Sequence, residues 1–125
     1  MNVRYAYLIG ALALLPYAHA AEKKETERYL ATPLKGDYYM YGGTIGDKTA
    51  STLKDKKVSI MLTGGLARDL FDHIGPDAKH ACGAGADHRE RQRGDLSCNW
   101  TKIDGYSCYI GINANTGKSM RGSAC

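Results

Sequence analysis

From residue 96 onward, apolar positions recur at every second place. Leu96, Cys98 and Trp100 alternate with Ser97, Asn99 and Thr101, and Tyr106, Cys108, Ile110 and Ile112 form a second such series. A period of two is that of half-buried strands. Between the two series, Ile103, Asp104 and Gly105 allow a two-residue Asp-Gly turn or a three-residue loop with glycine in the left-handed region. The three-residue loop pairs Lys102 with Tyr106, Trp100 with Cys108 and Cys98 with Ile110, and only that register leaves one apolar face. A five-residue loop over residues 113–117, whose Asn and Gly residues tolerate positive φ, sets Met120 opposite Ile110. The spacing predicts a three-stranded antiparallel meander at the C-terminus.

Upstream, the period changes. Residues 58–62 are the most hydrophobic run after residue 20, short and bounded by Lys57 and Gly64, as expected of a central strand buried on both faces. Leu66, Leu70 and Ile74 then recur at four-residue steps with Ala67 and Phe71 beside them, while Arg68, Asp69, Asp72 and His73 fall opposite. That is an amphipathic helix, stopped by Gly75 and Pro76. Residues 37–43 are aromatic and end in paired glycines, a strand running into a turn. Residues 44–57, rich in Thr, Ser, Gly and Lys, predict a long exposed loop. Residues 76–95 carry no large apolar side chain and predict a loop holding an edge strand between Asp87 and Arg93.

Composition adds the compartment. Arg4, an apolar run over residues 6–15 and Ala18-His19-Ala20 have the order of a secretory signal peptide over residues 1–20, too short an apolar run to span a bilayer. Residues 21–35 are mixed in charge and predict a flexible N-terminal arm, which leaves residues 36–125 as a single disulfide-stabilised domain. Losing Arg4 with the signal lowers the net charge from +4 to +3, too mild an excess to indicate nucleic acid. Four cysteines behind an export signal predict two disulfides among Cys82, Cys98, Cys108 and Cys125. In the register chosen above Cys98 and Cys108 sit diagonally, so the expected pairings are 82–98 with 108–125, ahead of 82–108 with 98–125.

Candidate chemistry is sparse. The run from Gly111 to Gly117-Lys118-Ser119 has its glycines one residue too far apart for a phosphate loop, and a hairpin explains it. Thr63-Gly64-Gly65, which offers backbone amides to an anion, is equally explained as a helix start. His73, His80, Cys82 and His88 lack metal-ligand spacing. Asn99-Trp100-Thr101 matches a glycosylation sequon but falls inside a strand. Residues 87–93 bring His88 and Glu90 among arginines, the side chains a small phosphodiesterase needs for proton transfer and phosphate binding. A charged edge strand is the plainer account of the same run. Tyr38, Tyr39, Tyr41 and Tyr109, with Arg89, Arg91 and Arg93, have the composition of a protein-binding surface.

The sequence thus predicts an α+β domain, one amphipathic helix packed on a mostly antiparallel sheet of four to five strands, with a C-terminal disulfide-stapled meander. The expected role is that of a small exported, non-enzymatic binding protein, of periplasmic inhibitor or immunity type, whose partner is another protein. No cofactor, nucleic-acid partner or stable membrane anchoring is expected. The alternatives are a small secreted hydrolase using His88 and Glu90, or a structural component of a cell-surface assembly.

Overall fold

The computed structural model describes residues 31–79, 82 and 85–124. The signal peptide and most of the expected arm lie outside the described residues, as do His80 and Cys125. In chain order the elements are β1 (Gly36–Gly43), β2 (Lys48–Thr49), β3 (Lys57–Thr63), α1 (Gly64–Ile74), β4 (His88–Arg93), β5 (Leu96–Thr101), β6 (Gly105–Asn113) and β7 (Ser119–Met120). The sheet runs β2-β1-β3-β6-β5-β4, with β7 also on β6, and every pairing among these strands is antiparallel. It curls into a half-barrel carrying one short helix, so the domain is broadly α+β but mostly β. The strands outnumber the four or five expected.

Directly paired residues share a face of the sheet. The helix lies over β6, with β3, β5 and β4 around it. Ala67, Phe71 and Ile74 of the helix are buried against Cys98 and Cys108, with Leu62, Leu70, Leu96, Trp100 and Tyr106 partly buried around them. Leu66, expected on the buried stripe, is exposed, because the inward stripe runs along Ala67, Phe71 and Ile74. Ala67 is fully enclosed, and the Cys108 Sγ lies 3.3 Å from its carbonyl oxygen. β3 is central as expected, yet of its residues only Ser59 is buried, so the expected enclosure on both faces is corrected.

The β5–β6 hairpin has a three-residue loop, but one residue earlier than expected. Thr101 pairs with Gly105, Trp100 with Tyr106 and Cys98 with Cys108. Gly105, at φ 74°, is thus the first paired residue of β6 and not the last of the loop. Cys98 and Cys108 stand directly opposite, Cα atoms 4.0 Å apart, and form a disulfide. Both expected pairing schemes are therefore wrong, because each needed Cys98 and Cys108 in different bridges. Cys82 is also disulfide-bonded.

The expected meander is also corrected. β3 occupies one edge of β6 over residues 107–113, so β7 pairs at Gly111 and Ile112 on the edge that β5 uses further up the strand. Met120 falls opposite Gly111 instead of Ile110, which moves it to the far face of the sheet. Beyond β7 the chain crosses that face: the Ser59 hydroxyl donates to the Gly122 carbonyl, and the Ser97 and Ser123 hydroxyls lie 3.0 Å apart. Only glycine fits at 122, where a Cβ would come within 2.5 Å of the Ile110 backbone.

Candidate functional site

The sequence-predicted binding residues do not form one surface. Arg89, Arg91 and Arg93 lie on the helix face of β4, directly opposite Trp100, Cys98 and Leu96 of β5. There they close the C-terminal end of α1, whose last carbonyls lack intrahelical partners. Arg91 donates through Nη1 to the Phe71 carbonyl at 2.8 Å, and Arg93 through Nη2 to that of Gly75 at 3.3 Å. The Nε groups of Arg89 and Arg91 each reach an Asp77 carboxylate oxygen at 2.7 Å. Both guanidinium groups also lie over the Phe71 ring, at 5.2 and 4.3 Å. The Arg89 hydrogen bond, then that of Arg91, holds the Asp77 carboxyl down to about 2.

Tyr39, Tyr41 and Tyr109 lie on the far face. Tyr41 is enclosed, its hydroxyl without a hydrogen-bond partner among the described residues, and burial pushes its phenol up. Tyr39 and Tyr109 share a cavity of about 310 Å³ with Lys48, Glu90, Asn99 and Ser123. His88 and Glu90 belong to this face. The Glu90 carboxylate accepts the Cys82 amide at 3.2 Å, and the His88 Nε2 is buried without a partner among the described residues. The described residues hold no group of three His, Cys, Asp or Glu placed for a metal. No helix among them is long and apolar enough to cross a membrane.

Tyr38 points the other way, onto the helix face. Eleven residues of helix span about 16 Å, whereas six strands extend over about 24 Å. Among the described residues, no element covers the β1 side of that face. Tyr38 is 69% exposed, Met40 50% and Ile112 38%. Val58 and Ile60 lie half-buried between them, because Met40, Val58 and Ile112 align across three strands, as do Tyr38, Ile60 and Ile110. Leu34, 64% exposed, roofs a cavity of about 270 Å³ lined by Gly36, Tyr38, Val58 and Ile60. Met40, Ile112 and Leu34 are members of this patch that sequence reasoning did not single out. Their signal was the alternation of residues 38, 40, 58, 60, 110 and 112, which marks a shared face without showing where a helix stops covering it.

No protein-family model, curated protein or solved structure matches this chain.

Proposed function

We propose that this chain is a non-enzymatic binding protein that occupies the surface of another protein with the uncovered half of its sheet. One observation carries the reading: large apolar side chains, Tyr38, Met40 and Ile112, stand exposed side by side over half-buried Val58 and Ile60. Contiguous apolar surface on a small domain marks an interaction site, because single scattered apolar residues need no explanation and a patch does. Aromatic and methionine side chains are also those enriched at protein interfaces. An exported inhibitor or immunity-type protein is the role that fits such a surface. The hydrolase alternative gains little support, since Glu90 already accepts a backbone amide and the arginines meant to hold phosphate are spent on the helix end.

The test is copurification from the exporting cell, followed by reconstitution with the identified partner in pure form. Changing Tyr38 and Ile112 together to serine should leave the disulfides and circular dichroism intact and weaken the reconstituted complex at least ~10-fold, as loss of central apolar contacts does. Unchanged affinity would overturn the reading. So would turnover of a phosphodiester by the wild-type protein that vanishes with His88→Ala or Glu90→Gln.

A further inference from the structure

The two outer strands of the sheet are finished differently. On β4, His88, Glu90 and Gln92 turn their backbone groups outward, and the Glu90 carbonyl accepts the Ala78 amide at 2.7 Å. A chain segment and a row of charged side chains therefore guard that edge, both known devices against unwanted strand pairing. β1 has neither. β2 takes up only Gly42 and Gly43, so residues 36–41 form the rim, with no described strand beside them. The Thr63 amide donates to the Lys35 carbonyl at 3.0 Å, which fixes the alternation that follows. Asp37, Tyr39 and Tyr41 turn their backbone groups to β3, and Gly36, Tyr38 and Met40 turn theirs outward. This rim is free of proline and presents exposed Tyr38 and Met40.

The geometry points to a second copy of this chain as the occupant: β1 of each copy pairs antiparallel with β1 of the other about a twofold axis at Tyr38, joining two sheets into one. A twofold interface must be self-complementary, and this edge is. With Tyr38 opposite Tyr38 of the second copy, Met40 of each stands opposite Gly36 of the other, which has no side chain to obstruct it. Met40 then lies beside the cavity under Leu34, with Val58 and Ile60 on its floor. Asp37 falls opposite Tyr39, and Lys35 opposite Tyr41, so no like charges meet. The neighbouring registers fare worse. A shift of two residues one way sets Asp37 against Asp37, a like-charge pair. The same shift the other way calls on the outward groups of Gly42, which β2 already uses.

Edge pairing runs in the plane of the sheet and leaves the apolar face open, so the two uncovered halves become one continuous surface. Pairing along β1 is independent of which partner that surface takes. A contact limited to one short strand from each copy is small, and weak self-association is the expected strength.

The experiment is sedimentation of the exported protein, disulfides intact, from micromolar to millimolar concentration, with amide exchange followed at the two ends of that range. The mass should rise towards twice that of one chain, and the amides of Tyr38 and Met40 should become protected as it does, while those of Tyr39 and Tyr41 are protected throughout. Tyr38→Pro removes an outward N–H and no ladder bond to β3, which an edge strand tolerates. Because the interface is twofold, each copy loses that bond, and self-association should weaken by about 10-fold or more. Met40→Lys tests the same edge without touching the backbone, should the proline variant not fold. A single-chain mass up to millimolar concentration overturns the proposal. So does a dimer that survives in the folded variants, or one that forms without protection at Tyr38 and Met40.

Discussion

Asp77 shows what the arginine run does in this fold. Its carboxylate lies just past the helix end, receives Arg89 and Arg91, and is held down to about 2 by them. A carboxyl whose folded pKa is depressed adds stability that is complete above its ordinary pKa, 3.8, and disappears as the pH falls through about 2. The wild-type protein should therefore lose stability between about pH 4 and pH 2. Asp77→Asn has no such titration, so the gap in stability between the two proteins should close over that window when acid unfolding is followed by circular dichroism. A gap of constant size would mean that the pair is screened away, as exposed ion pairs often are. The arginines were visible in the sequence as an alternating run; their purpose was not. Which way Arg89, Arg91 and Arg93 point depends on β4 folding back on β5 through the Gly94-Asp95 turn, with Gly94 at φ 58° in the first turn position.

At the scale of elements, the hydrophobic pattern located the strands and the helix but not their register. β5 and β6 were expected to pair with Trp100 opposite Cys108, and they pair with Trp100 opposite Tyr106. A slip of two residues keeps every side chain on its own face, so burial cannot distinguish the two registers, whereas a slip of one would have betrayed itself. What decides between them is turn geometry, here the placement of Gly105 inside the strand. The helix shows the same limit, since Leu66 and Ala67 flank one wide apolar stripe and periodicity alone does not say which of them lies at its buried edge. One consequence is measurable at Trp100, which packs at the margin of the core and stays half-buried. Trp100→Ala should cost about 2 to 3 kcal/mol in urea unfolding, less than the ~3 to 5 of a fully enclosed aromatic ring. A loss below about 1 kcal/mol would place the ring outside the core altogether.

Over the whole molecule, the buried centre is small and rests on sulfur. Phe71, the single phenylalanine, sits between Tyr106, whose ring centroid is 5.3 Å away, and the guanidinium of Arg91, and two of the five buried residues of the cluster are Cys98 and Cys108. With so few apolar side chains enclosed among the described residues, cross-links carry a larger share of the stability. That the cysteines form disulfides was legible from their even number; the partners were not, because connectivity followed from the misplaced register. With Cys98 and Cys108 joined and Cys82 bonded as well, the parity of four cysteines predicts a bridge from Cys82 to Cys125. The two bridges should then differ in effect. The one within the β5–β6 hairpin closes a short loop and constrains the unfolded chain by about 3 kcal/mol, whereas a bridge from 82 to 125 closes a much longer one and contributes about 4. The longer bridge would also anchor the segment that crosses the far face through Gly122 and Ser123. Proteolysis of the oxidised protein without reduction, followed by mass spectrometry, should yield the pairs 98–108 and 82–125 and a whole-chain mass four hydrogens below the reduced value. A peptide joining 82 to 98 or 108 to 125 would refute both the register of the hairpin and the core built on it.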